Sequence, residues 1–360
     1  MLIPADNLRT VTRSILEHAG SSTDEARIVA DHLVRSNLAG HDSHGVGMIP
    51  DYMRFLSRGL LVPNTPARPV KDEGAILMFD GDRGYGQRVA REAMIAAIER
   101  CADTGVVLMT LRTANHIGRI GTYGEQSLDA GFVSIHFVNV QDHPPLMAPF
   151  RGSDARFGTN PICVAVPGSD RTEPVLLDMA TSKIALGKAR VAMNKGVPVA
   201  DDEVIDHRGR PTTDPRVMFG ESDRGALLPI GAHKGYGLGM ACEILAGVLS
   251  GGGTIAPENT RHGAIVNNML TIVIDPGRLV DLSWMRREID AMVAYSKGSP
   301  PLDACEPVLV AGDPERSTAA ERRAAGTPID RRSWDDIMAA GASVGLDPAE
   351  CTRLAGASTD

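Results

Sequence analysis

Between residues 75 and 138 short apolar runs alternate with helical patterns, and this alternation restricts the fold more than any other feature of the chain. Residues 75–79, 105–110 and 132–138 are apolar runs of strand length, and residues 87–102 and 119–130 between them carry helical spacing. Strands that take turns with helices predict a sheet with helices laid across it, an α/β layered core. Further strands are expected at 162–166, 175–177 and 269–274, with a last short one just before Ala311. A glycine-rich helix is expected over 234–249.

The two ends have a different texture. Leu8, Val11, Ile15 and Leu16 mark one face of a helix that Gly20 ends. Ser22 followed by Glu25 forms a capping box for a second helix reaching about Ala39. A third starts near Val46 and carries Met48, Ile49, Tyr52, Phe55 and Leu56, after which the proline-rich stretch 63–69 reads as a linker. From Leu282 onward the chain is mostly helical and charged.

Composition removes several classes of function. A net charge of −8 and an aromatic content of 4% argue against a nucleic-acid surface. The longest weakly charged run, 236–255, is interrupted by Glu243 and crowded with glycine, so no membrane span is expected. The five cysteines, Cys101, Cys163, Cys242, Cys305 and Cys351, are scattered and odd in number, which suits a reducing compartment. The N-terminus lacks the basic and apolar blocks of a signal peptide, and a cytoplasmic protein is expected.

Candidate chemistry starts in the loop Gly40-His41-Asp42-Ser43-His44-Gly45, because imidazole exchanges protons near neutral pH without a perturbed pKa. No HExxH and no Cys-x-x-Cys accompanies it, and no metal is expected. The dinucleotide fingerprint GxGxxG and a Walker A loop are also absent. Any nicotinamide must therefore sit on a non-Rossmann scaffold. Asn115-His116-Ile117-Gly118-Arg119-Ile120-Gly121 lies where a strand hands over to a helix. It suits either a phosphate or carboxylate, or a helix cap with a solvated arginine. Asp178, directly after an apolar strand, could hold a histidine in one tautomer or cap a helix starting near Ser182. His233 and Lys234 open the glycine-rich helix, where they would attract an anion or simply begin a closely packed element. The segment 311–315 reads by default as a plain turn.

Taken in order, Asp42-Ser43-His44-Gly45, His116-Ile117-Gly118, Gly158-Thr159-Asn160-Pro161, Asp178-Met179-Ala180-Thr181-Ser182, His233-Lys234-Gly235-Tyr236 and the Gly312 turn resemble the malate/L-lactate dehydrogenase type 2 family over nearly the whole chain. The resemblance implies an NAD- or NADP-dependent oxidoreductase, normally a homodimer. Its fold would be a non-Rossmann mixed sheet sandwiched by helices, with a helical domain built from both termini. On this reading 1–74 is an N-terminal helical part, 75–280 the α/β core for cofactor and substrate, and 281–360 a C-terminal helical part packing on the first. His44 would be the proton donor and Asp178 its partner. Ser43, Met48 and His116 would meet the substrate. His44, Gly118, Arg119, Ile120, Thr159, Asn160, Leu176, Leu177, Asp178, Met179, Ala180, His233, Lys234, Gly312, Asp313 and Glu315 would line the cofactor. Many family members carry an arginine four residues after the catalytic histidine, and here that position is Met48. Recognition of the substrate carboxylate then falls to Arg54, His116 or Arg119.

The expected activity is interconversion of a small 2-oxo acid and its 2-hydroxy acid. The alternatives are a cyclic-imine reductase of the same family and a non-catalytic ligand-binding protein on this scaffold. The set of His44, Asp178 and His116 weighs against the last, since a binding module needs no acid with an orienting partner.

Overall fold

The computed structural model describes residues 1–220, 223–303 and 305–356. Helix Ala5–His18 buries Leu8, Val11, Ile15 and Leu16, the face its spacing predicts. These side chains join Leu33 and Val34 of Thr23–Leu38, Phe55 of Ile49–Ser57, and Trp334, Ile337 and Cys351 from the far end of the chain in one apolar cluster. Each large side chain taken fully out of water contributes about 1.5–3 kcal/mol, so the two ends hold each other in place. Strand Leu2–Ile3 adds a short antiparallel pairing with Thr327–Pro328. The Ser22 hydroxyl accepts from the Glu25 amide at 3.3 Å, but the Glu25 carboxylate does not turn back to complete a capping box. It accepts instead from the Asn64 amide and from Arg88, which pins the end of the helical part to the core.

The core is a seven-stranded mixed sheet in the order Arg68–Glu73, Ile76–Asp80, Val106–Asn115, Val266–Ile274, Val133–Val140, Ile162–Val166, Val175–Met179. Only the pairing of Ile76–Asp80 with Val106–Asn115 is parallel. Val266–Ile274, late in the chain, is inserted between two strands that follow each other in sequence. Helices Gly86–Thr104 and Gly121–Asp129 pack against the sheet, burying Val89, Ala93, Met94 and Tyr123 with Met109, Leu111 and Met269. Among the described residues, no helix is long and apolar enough to cross a membrane.

Four local expectations need correction. The stretch read as a linker runs into an exposed edge strand, Arg68–Glu73, whose charged sequence Arg-Pro-Val-Lys-Asp-Glu hides it while its backbone pairs with Ile76–Asp80. No strand precedes Ala311 among the described residues; the contact there is a single hydrogen bond from the Leu176 amide to the Ala311 carbonyl at 3.1 Å. The glycine-rich helix is α-helical over His233–Cys242 and then widens into a π-turn over Glu243–Val248. The helix after Asp178 begins at Leu186 rather than near Ser182.

Candidate active site

The loop carrying His44 is held from two sides. The Asn37 side chain donates to Asp42 at 2.7 Å and accepts from the Val46 amide at 2.9 Å. Arg322, from helix Asp313–Ala325, donates twice to Asp42 at 2.7 and 3.0 Å. Asp42 is thus a clamp, and the short 3-10 turn Asp42–His44 presents Ser43 and His44 to a cleft of about 290 Å³. Gly45 lies so close to Asn37 that a Cβ there would collide with the amide.

Facing His44 across this cleft is the turn after strand Val106–Asn115. Gly118 adopts φ +74°, and a Cβ on it would run into the His32 imidazole. Nε2 of His32 accepts from the Arg119 amide at 3.0 Å and so fixes the turn. The rings of His44 and His116 stack with centroids 5.4 Å apart and planes inclined by 28°. Nδ1 of His44 meets the Ser43 hydroxyl at 2.9 Å, and Nδ1 of His116 meets the Tyr52 hydroxyl at 2.8 Å. The remaining wall is largely apolar, with Met48, Ile120, Val138, Val140, Leu146 and Leu186, and Arg190 and His143 also line it.

Enclosure by protein, with His41 and Arg119 nearby, lowers the His44 pKa to about 4. Enclosure and the neighbouring His44 also push His116 well below its ordinary value. Both rings are therefore neutral at pH 7.

Of the residues singled out from the sequence, Ser43, His44, Met48, His116, Gly118, Ile120 and Thr159 line the cleft together. Others do not. Asp178 makes no hydrogen bond to His44; its Oδ2 accepts from the Gly121 amide at 2.8 Å and lies 3.5 Å from Nε of Arg119. The anion expected at this helix start is thus supplied by the protein's own carboxylate. Burial raises the Asp178 pKa against the opposing pull of Arg119. Arg119 is buried and donates to Glu125 at 2.6 Å, so it is not open to a substrate carboxylate. Arg54 is paired with Asp51 at 2.7 Å. Asn160 is fully buried and donates to Glu243 at 2.7 Å and to the Gly239 carbonyl at 3.0 Å, so its side chain braces the π-turn.

Leu176, Leu177 and Met179 lie on the edge strand Val175–Met179 and Ala180 directly follows it; none of the four lines the cleft. His233 and Lys234 are exposed at their helix start, with His233 edge-on to Phe150 at 5.7 Å. Gly312 takes φ +97° and begins helix Asp313–Ala325, where Asp313 is engaged by Lys297 and Arg316 at 2.7 Å each. Glu315 lies 3.5 Å from His41. Tyr52, Gln87, His32 and Arg190 were missed as site residues. Tyr52 carried one sequence signal, standing four residues after Met48 on the same helical face. No group of three His, Cys, Asp or Glu side chains able to hold a metal occurs among the described residues.

The sequence profile of the malate/L-lactate dehydrogenase family matches residues 3–338, and the chain belongs to that family. It is 46% identical over 357 residues to hydroxycarboxylate dehydrogenase B of Escherichia coli (strain K12), covering 98% of each chain. The sulfolactate dehydrogenase of Methanocaldococcus jannaschii superposes with a TM-score of 0.84 at 32% identity, covering 97% of this chain and 99% of that one. The delta1-piperideine-2-carboxylate reductase of Pseudomonas syringae pvar. tomato does so with a TM-score of 0.80 at 26% identity, covering 94% and 99%.

Proposed function

We propose that the protein interconverts 2-oxo acids and 2-hydroxy acids with NAD or NADP, using His44 as the proton donor and acceptor. The observation that carries this reading is the stacked His44–His116 pair, facing an apolar-walled cleft with Ser43 on Nδ1 of His44. The residues present fit a nicotinamide: the Gly118 turn, Ile120 and Thr159 line the cleft together, and Val138, Val140 and Leu146 give a flat ring an apolar wall. Gly118, Ile120 and Thr159 would hold the ring, with 176–180, His233, Lys234 and the Gly312 turn serving the rest of the dinucleotide. When bound, the nicotinamide supplies or accepts the hydride at the substrate carbon.

The resting protonation state has a direction. A neutral His44 is ready to accept the hydroxyl proton of a 2-hydroxy acid. For reduction it must first be protonated, and a substrate carboxylate brought close to it favours that charge. Apolar walls keep water from the reacting carbon.

With Arg54 and Arg119 already paired, Arg190 is the cation that supports carboxylate recognition. It lines the cleft, rests over the Phe219 ring at 5.6 Å and makes no ion pair among the described residues. The test is oxidation of NADH and NADPH with phenylpyruvate, pyruvate, oxaloacetate and a cyclic imine carboxylate. Turnover with at least one 2-oxo acid is expected, and Arg190→Ala should raise KM roughly 10–100-fold, the loss of one charge-assisted hydrogen bond. Turnover of none of the 2-oxo acids would overturn the reading.

The likeness to the Pseudomonas reductase supports a second reading, in which His44 delivers its proton to an imine nitrogen; exclusive turnover of the cyclic imine would select it. A homodimer is also proposed. Helix Leu282–Lys297 has no buried residue, with Trp284 49% and Tyr295 81% exposed, and Ile244, Val248 and Leu249 form a further uncovered apolar face. Apolar faces of this kind are what an obligate partner covers.

A further inference from the structure

His116 is tied into a buried chain of hydrogen bonds that His44 does not share. Nε2 of Gln87 donates to the Tyr52 hydroxyl oxygen at 2.6 Å, and that oxygen lies 2.8 Å from Nδ1 of His116. Tyr52 is fully buried and Gln87 nearly so, so no water is available to take the phenol's proton. With Gln87 donating to it, the phenol has one proton left to give, and Nδ1 of His116 is the acceptor within reach. A ring that accepts at Nδ1 carries its own proton at Nε2. Rotating the Gln87 amide would reverse the chain, but it would put an N–H where Oε1 now lies buried without a partner. An orphaned buried N–H is rarer than an under-satisfied carbonyl oxygen, which favours the orientation observed.

We propose that Gln87 and Tyr52 hold His116 as a neutral Nε2–H donor, fixed in one tautomer, while proton exchange is left to His44. Nε2 of His116 makes no hydrogen bond among the described residues, and the residue lines the cleft. On the 2-oxo acid reading, this N–H donates to the substrate's carbonyl or carboxylate oxygen and transfers no proton. His44 has the opposite design: its Nδ1 partner is the Ser43 hydroxyl, which rotates and can donate or accept. Tyr52 and Gln87 are thus positioning residues that act through His116. The depressed basicity of His116, caused by burial and by the stacked His44, keeps the ring neutral while it does this.

The test uses the ligand-free full-length protein labelled with ¹⁵N in its histidine rings, with the His116 signals assigned by their loss in His116→Gln. Long-range proton–nitrogen correlation at pH 7.5 should show an unprotonated Nδ1 and a protonated Nε2. Tyr52→Phe should turn this single tautomer into a mixture and lower kcat by up to roughly 10²-fold, the scale for losing one aimed donor. An Nδ1–H tautomer in the wild-type protein would overturn the proposal whether or not Tyr52→Phe folds. A folded Tyr52→Phe protein that keeps a pure Nε2–H tautomer would do the same. Because the tautomer is read without substrate, this result is independent of which acid or imine the enzyme turns over.

Discussion

Asp178 departs from its expected partner, whereas Met48 lines the cleft where it was expected. Asp178 was expected to orient His44, yet it binds the Gly121 amide and faces Arg119. Two side chains that share no partner should act independently, so the effects of Asp178→Asn and His44→Ala on kcat/KM should multiply in the double variant. Asp178→Asn should also lower stability by about 1–3 kcal/mol, because the buried Arg119 loses one of its two compensating charges. Urea unfolding and a kinetic double-mutant cycle measure both effects; a double variant no slower than His44→Ala would restore direct coupling. Met48 is buried and lines the cleft. A thioether there would suit an apolar substrate side chain and would give a second carboxylate no partner. Aromatic or medium-chain 2-oxo acids should therefore be reduced at least as efficiently as oxaloacetate, and Met48→Arg should shift kcat/KM towards compact dianions. Strong preference for oxaloacetate, unaltered by Met48→Arg, would contradict this.

At the scale of elements, helix Leu186–Lys195 decides how tightly the cleft is closed. It is seated on the His44 loop through Gly187, where a Cβ would collide with Cβ of Ser43. Gly187→Ala should push the helix, and Arg190 with it, off the loop. KM should rise more than kcat falls, while the unfolding midpoint moves little because the helix lies at the rim; an unchanged KM would show that the contact is unimportant. The sequence made the strands at 75–79, 132–138 and 162–166 legible because each is an apolar run ended by a helix or turn signal. It hid Arg68–Glu73, whose side chains are all exposed and whose pairing is carried by backbone alone. It also hid the late strand's place in the sheet, which no local pattern encodes. At the site, His44 and His116 stood out as histidines among glycines, whereas Tyr52 and Gln87 look like ordinary helix residues until the fold brings them to His116. The anion site at Gly121 was legible, but not that Asp178 would fill it.

Over the whole molecule, buried neutral histidines make stability sensitive to acid. His44 is lowered to about 4 and His32 and His136 to about 3, all by burial first, against an ordinary value of 6.5. The folded values are depressed, so below pH 6.5 the unfolded chain takes up protons that the native protein refuses. Stability should therefore be full above about pH 6.5, fall as the pH drops towards 4, and lose its remaining histidine contribution near 3. A urea midpoint that is unchanged between pH 7.5 and 5 would contradict these burial states. The central claim, that His44 moves the proton in a nicotinamide-dependent reaction of a 2-oxo acid, is tested most directly by one comparison. Oxidation of the preferred reduced nicotinamide by phenylpyruvate is followed with the wild-type protein and with His44→Ala, alongside cofactor binding by both. The account predicts a kcat lower by roughly 10²–10⁴-fold in His44→Ala, with cofactor affinity little changed, the range for losing a positioned acid. Near wild-type turnover in His44→Ala would contradict it.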